Sequence, residues 1–256
     1  MKQKVVWSIV LCICVITSGY AKNKVKGNGT AETRVISVNA YNDLRLGQNI
    51  EPNNVSFLGI NKKKNFAFNY EQTTGAYTLE ITLDENLFPY LEIDQTGQTL
   101  FIRGKDDTKI NPTIFVVNGQ SQELNNVSIS GCVDFIAERA LTTHNISFHV
   151  SGVGDIRIAQ LVSENIDCEV SGVGSVYLTG QAANGSFEVS GVGKIYAYDC
   201  FVKNLNCEVS GVGSIQANAT DKLTAYASGV GNIYYRGNAT VDTHTSGIGK
   251  IRKNDK

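Results

Sequence analysis

Ser151-Gly152-Val153-Gly154, Ser171-Gly172-Val173-Gly174, Ser190-Gly191-Val192-Gly193, Ser210-Gly211-Val212-Gly213, Ser228-Gly229-Val230-Gly231 and Ser246-Gly247-Ile248-Gly249 are six copies of one tetrapeptide, spaced 20, 19, 20, 18 and 18 residues apart. A degenerate copy, Ser130-Gly131-Cys132-Val133-Asp134, begins 21 residues before the first. Aligned on serine, the copies share columns. One residue before it stand Val150, Val170, Val189, Val209, Ala227 and Thr245; five after it stand Ile156, Val176, Ile195, Ile215, Ile233 and Ile251. Three before it stand Phe148, Cys168, Phe187, Cys207, Ala225 and Thr243. Apolar and polar positions alternate on both sides of the glycines, which is the period of a strand. Each repeat therefore reads as strand, glycine corner, strand, polar loop. One such unit cannot bury its own apolar face, whereas stacked units can, at the ~4.8 Å spacing of paired strands. The expected fold is all-β, a parallel β-helix or β-solenoid of about 18–21 residues per turn over residues 120–254. A sandwich of hairpins is the alternative, but hairpins would not keep equivalent residues in register from unit to unit.

Glycine is abundant, 25 of 256 residues against 3 prolines, and twelve of the 25 are the pairs Gly152/Gly154, Gly172/Gly174, Gly191/Gly193, Gly211/Gly213, Gly229/Gly231 and Gly247/Gly249. At a corner, glycine lets the chain turn sharply, in places at positive φ, and lets one corner rest on the next. Ligand chemistry fits these glycines poorly. A calcium-binding solenoid repeat needs an Asp after its glycines, and here that place holds the column Ile156 to Ile251. No Gly-Lys-Ser/Thr follows a glycine to cradle phosphate. No metal or cofactor is expected. With 18% charged residues and a net charge of −1, the chain is neither disordered nor a basic nucleic-acid binder.

Residues 1–21 read as a secretory signal peptide: Lys2 and Lys4, an apolar run over 5–16, then small residues at Gly19 and Ala21. The run is too short for a membrane span, and Leu11 and Ile13 before Cys12 and Cys14 argue against lipid attachment. Cleavage leaves 21 basic and 24 acidic residues, a net charge of −3. No second apolar span follows, so the expected product is exported, without a transmembrane segment, to the periplasm, the outer surface or the medium. Residues 22–32 read as a flexible leader. Residues 33–119 read as a less regular β region, with strands near 35–38, 44–46, 65–70, 77–83, 100–103 and 113–117. Lys62-Lys63-Lys64 marks an exposed loop, and Asp84 to Tyr90 a turn or short helical piece. This region is expected to cap the solenoid and pair with its first turn.

Four cysteines follow the signal. Cys168 and Cys207 share a column two turns apart, ~9–10 Å, too far for a disulfide, and read as small buried hydrophobes. A bridge between Cys200 and Cys207 stays open. Glu169, Glu188 and Glu208, two residues before serine, should form an acidic ladder on an outer face. His149, Tyr226 and His244 complete that column. Neighbouring carboxylates ~5 Å apart match the spacing in a retaining glycosidase. No loop insertion builds a cleft around them, so the ladder reads as solvated. His144, His149 and His244 read as surface histidines. Arg157, Tyr177, Tyr196, Gln216, Tyr234 and Arg252 form a second outward column, with Tyr198 and Tyr235 close by. Exposed tyrosine with arginine is the composition of a recognition surface, and also of a stacked sheet face. Arg157, Tyr177, Tyr196, Tyr198, Tyr234 and Tyr235 are the candidate partner-binding residues.

The order Asp84-Glu85-Asn86-Leu87, Tyr90-Leu91-Glu92, the stretch 97–102 and then serial Ser-Gly-x-Gly repeats resembles the auto-transporter adhesin head, or GIN, domain, common in exported proteins of Bacteroidetes. The resemblance spans residues 33–252. It implies one right-handed β-helical domain and an adhesive surface role, and brings no catalytic residues. The expectation is a non-enzymatic adhesin or scaffold of the envelope or surface, binding a glycan or protein and no nucleic acid. The alternative is a carbohydrate-active β-helix enzyme, a polysaccharide lyase or glycosidase.

Overall fold

The computed structural model describes residues 23–52, 65–75 and 77–254. The export signal and the Lys62-Lys63-Lys64 loop lie outside them. The regular part consists of β11 (Asp134–Val150), β12 (Ile156–Val170), β13 (Val173–Val189), β14 (Val192–Val209), β15 (Ser214–Ala227), β16 (Asn232–Arg236), β17 (Thr240–Thr245) and β18 (Ile251–Lys253). It is preceded by β1 (Asn23–Lys26), β2 (Ala31–Ser37), β3 (Asp43–Leu46), β4 (Phe66–Gln72), β5 (Thr78–Asp84), β6 (Leu91–Thr96), β7 (Thr99–Gly104), β8 (Thr108–Asn111), β9 (Phe115–Ser121) and β10 (Asn126–Ile129).

From β11 to β18 every pairing is parallel, and the register matches the repeat columns: Ile156 faces Val176, which faces Ile195, and Glu169 faces Glu188, which faces Glu208. The result is a β-solenoid of about six turns with a less regular N-terminal β region. Each turn pairs in three blocks. In β11 and β12 these are 135–137 with 156–158, 140–143 with 160–163, and 145–150 with 165–170. A bulge separates the first two blocks, and the glycine corner links the third to the next turn. Three walls follow, which we number in that order.

Inward columns fill the core. Phe135, Ile156, Val176, Ile195, Ile215 and Ile233 line the first wall without exposed surface. The third wall supplies Phe148, Cys168, Phe187, Cys207 and Ala225, all buried. Phe alternates with Cys because a ring on every turn would overfill a column repeating each ~4.8 Å. Gly185 obeys the same constraint: a Cβ there would meet Leu205 and Val202.

The N-terminal strands extend the stack without following chain order. On the first wall, β11 pairs with β4 and β4 with β9; on the third, β10 pairs with β3 and β3 with β7, all parallel. Antiparallel β5, β2 and β6 lie outside these and occupy the edges that parallel stacking would leave open. One continuous core runs from Tyr41 to Ile233, and the boundary read at residues 119 and 120 falls inside β9. β1, β6, β8 and β10 are strands that the sequence reading did not place.

Of the stretch 22–32, expected as a flexible leader, the described residues 23–32 are held instead. β1 pairs in parallel with β8, and β2 already begins at Ala31. The reason lies in the Asp84-Glu85-Asn86 turn, which opens a 3-10 helix at Glu85–Tyr90. Asp84, fully buried, accepts hydrogen bonds from the Gly29 N–H at 2.7 Å, the Thr113 N–H at 2.7 Å and the Thr113 hydroxyl at 2.7 Å. Asn86 receives the Asn28 N–H and donates to the Lys26 carbonyl. Burial pushes the Asp84 carboxyl up, and the bonds from Thr113, Gly29 and Ile114 outweigh it and hold the pKa below its ordinary value.

Candidate functional site

The tyrosine column lies on the first wall, in unbroken register from Ile136 through Arg157, Tyr177, Tyr196, Gln216, Tyr234 and Arg252. Five steps carry it from Arg157 to Arg252, about 24 Å at the strand spacing. The side chains from Ile136 to Tyr234 are half-buried. Tyr177 and Tyr196 stack with centroids 4.8 Å apart and planes 12° from parallel, and the Arg157 guanidinium covers the other face of the pair 3.9 Å from the Tyr177 centroid. Asp155 pairs with Arg157 at 2.8 Å and aims it. Tyr198 is covered by Arg236 at 4.0 Å, and its hydroxyl accepts a bond from Asn254. Both faces of Tyr177 and one face of Tyr198 are thus engaged within the protein, and the wall also offers a partner ring edges, hydroxyls and guanidinium groups. Tyr235 pairs with Ala217 and Lys253, one position along from Tyr234.

Toward the N-terminus the column continues from Ile136 to Asn69 and Asn118. There it enters a groove of about 610 Å³ lined among others by Glu71, Glu80, Gln120 and Arg139. Asn69 donates to Asn118 across the strands at 2.9 Å, and Arg139 pairs with Glu71.

The acidic ladder occupies the third wall. The row runs Phe101, Arg45, Ser128, His149, Glu169, Glu188, Glu208, Tyr226 and His244. His149 Nδ1 meets Glu169 Oε2 at 3.0 Å, and Tyr226 stacks on His244. Burial pushes the Glu188 carboxyl up, and its neighbours Glu169, Glu208 and Asp167 push it further. Among the described residues no group of three or more His, Cys, Asp or Glu is arranged to hold a metal ion.

At the corners, the stacked glycines answer to close approach rather than to backbone handedness. None of the twelve has positive φ, which corrects that part of the expectation. A Cβ on Gly152, Gly172, Gly191, Gly211, Gly229 or Gly247 would fall inside 3.0 Å of the backbone of the preceding corner. The valine between them turns outward: Val192, Val212, Val230 and Ile248 are 55%, 56%, 57% and 80% exposed, an apolar ridge along the solenoid. Cys168, Cys200 and Cys207 are buried free thiols, so the Cys200–Cys207 bridge is not formed.

Two features escaped the sequence reading. Asn145, Asn165, Asn184 and Asn204 stand six residues before each serine and form an amide ladder, each donating to the preceding one at 2.7, 3.0 and 3.2 Å. Extending the column alignment three places further would have found it. The second is the cationic end of the third wall, where Arg45 and Arg103 lie outside the repeats and gain meaning only through strand pairing.

The chain matches the family model described as putative auto-transporter adhesin, head GIN domain, over residues 56–239, more than half its length. A crystal structure of a putative adhesin from Bacteroides fragilis is 27% identical, covers 90% of this chain and 100% of its own, and superposes with a TM-score of 0.78. A putative adhesin from Parabacteroides merdae is likewise 27% identical, with coverage of 91% and 100% and a TM-score of 0.68. A putative lipid binding protein from Parabacteroides distasonis is 25% identical, with coverage of 91% and 100% and a TM-score of 0.72. No curated protein is matched. Among the described residues no helix is long and apolar enough to cross a membrane.

Proposed function

This chain belongs to the family of auto-transporter adhesin head GIN domains, and from that membership we propose a non-enzymatic, exported adhesin or scaffold of the cell envelope or surface. It binds a glycan or protein partner through the first wall of its solenoid. The observation that carries the reading is the unbroken column of Arg157, Tyr177, Tyr196, Gln216, Tyr234 and Arg252. A rigid sheet presents these groups at a fixed ~4.8 Å interval, so little side-chain freedom is lost on binding. Hydroxyls, an amide and guanidinium groups in a row suit hydrogen bonding to a repetitive surface polymer.

An array of glycans and extracellular proteins identifies the ligand, and the double variant Tyr177→Ala/Tyr196→Ala tests the wall. The reading expects about a tenfold or greater loss of binding with the fold retained by circular dichroism. Undiminished binding by the folded double variant excludes this wall.

A second reading is favoured by the ridge of Val192, Val212, Val230 and Ile248, whose exposure fits an apolar partner. A solved relative is described as lipid binding. Phosphatidylcholine vesicles that sediment the wild-type chain and not Val212→Ser/Val230→Ser would favour it; equal behaviour of the two chains rejects it.

A further inference from the structure

The third wall changes character toward the N-terminal end of the solenoid. Its outward row passes from Glu208, Glu188 and Glu169 to His149, Ser128, Arg45 and Phe101. Arg103, two residues beyond Phe101 on β7, adds a second cation. Together Arg45, Gln48, Phe101, Arg103, Ser128 and His149 border a cavity of about 360 Å³, within the range that holds small ligands. From Phe101 to His149 the row crosses three strand spacings, about 14 Å.

Of the two cations, Arg45 has no ion pair among the described residues, and Arg103, paired with Glu92, keeps its Nη donors open. Arg45 is exposed and makes no ion pair or hydrogen bond among the described residues; its guanidinium carbon lies 5.8 Å from the centroid of the Phe101 ring. Arg103 gives its Nε to Glu92 at 2.9 Å, and neither Nη forms a hydrogen bond among the described residues. Its guanidinium carbon lies 5.7 Å from the same ring. Glu169, the acid next along the row, is engaged with His149. Two guanidinium groups about one site are the usual means of holding a planar or tetrahedral oxyanion.

The remaining lining argues for more than a bare ion. Phe101 contributes apolar surface. The Ser128 hydroxyl has no partner among the described residues, and Ser130 donates only a long 3.4 Å bond to the Leu46 carbonyl, which leaves both oxygens able to accept. Gln48 adds an amide at the rim. Hydroxyls, an amide, an apolar ring and two cations match a polyhydroxylated ring that carries an oxyanion.

We propose that the pocket of Arg45, Arg103, Phe101, Ser128 and His149 is a binding site for an acidic saccharide, held by its carboxylate or sulfate group on the two arginines. The site is separate from the tyrosine wall and stands or falls without it.

The test is calorimetric titration of the purified chain with three probes: a galacturonate trisaccharide, a sulfated galactose trisaccharide and the neutral galactose trisaccharide. At least one acidic probe binds at least about tenfold more tightly than the neutral one, the worth of one charge-assisted bond, and its affinity falls with added salt. Which acidic probe binds separates a carboxylate from a sulfate source. Arg45→Ala, a change at an exposed side chain, and Arg103→Ala each weaken binding by about tenfold. Three results overturn the assignment: equal affinity for the neutral probe, no binding of either acidic probe at millimolar concentration, or wild-type affinity in both arginine variants.

Discussion

Gly174→Ala probes the stacked corner most directly. Gly174 does not have positive φ, so alanine meets no left-handed penalty there. The added Cβ instead falls far inside 3.0 Å of the Gly154 carbonyl oxygen and lies 3.2 Å from Val150 Cγ1. The obstacle is backbone, and it cannot swing away as a side chain can. Relief requires lifting one corner off the next, against the Val173 N–H bond to Gly152 at 2.9 Å and the Val192 N–H bond to Gly172 at 3.0 Å. Overpacking costs ~1–3 kcal/mol when side chains can yield, and each weakened hydrogen bond adds ~0.5–1.5 kcal/mol. The expected destabilisation is therefore about 3 kcal/mol or more. Guanidinium denaturation measures it, and hydrogen exchange at the Val173 and Val192 amides reports whether the loosening is local, as a quasi-one-dimensional stack allows. Val192→Ala is the control at the next corner: its side chain is 55% exposed, so a change within ~0.5 kcal/mol is expected. If Gly174→Ala unfolds within that same margin of wild type, close approach does not explain the glycines.

Asp84→Asn places an NH2 against N–H donors and should cost at least about 2 kcal/mol. Because the folded-state pKa of Asp84 is lowered, its stabilisation is complete above the ordinary carboxylate value of about 4 and is lost as the pH falls through the lowered value. The acid limb of the wild-type stability curve should flatten in the variant. Glu188 has the opposite sign. Its raised folded-state pKa means that its favourable contribution exists below about pH 4 and disappears as the pH rises through the raised value, so Glu188→Gln should gain ~0.2–1 kcal/mol at neutral pH in thermal melts. Burial pushes the Cys200 thiol up to about 12 and that of Cys207 higher still. Native-state alkylation followed by mass measurement should therefore spare Cys168, Cys200 and Cys207, all of which react after denaturation.

The repeats alone determined the solenoid, its turn length and its register. Parallel stacking places like on like, so a column alignment is already a contact map: the Ile156 to Ile251 column is the inner first wall, and Glu169, Glu188 and Glu208 do adjoin one another. The same logic reached the tyrosine column. It did not reach the orientation of the rings, which stack on one another and on Arg157 because the strand spacing nearly equals the distance at which aromatic faces pack. Nor did it separate glycine needed for handedness from glycine needed for space, since that depends on the atoms of the neighbouring corner.

Outside the repeats, only the tertiary structure could decide. β3, β7 and β10 are contiguous in the sheet but separated by tens of residues in the chain, and β4 and β9 enter the stack out of order. Arg45 and Arg103 therefore share a pocket with His149 that no local pattern announces. Residues 22–32 read as a leader because a four-residue strand and a polar turn carry little hydrophobic signal. The order of residues 23–32 comes from Asp84 and Asn86, more than fifty residues away, through hydrogen bonds that a one-dimensional pattern does not record.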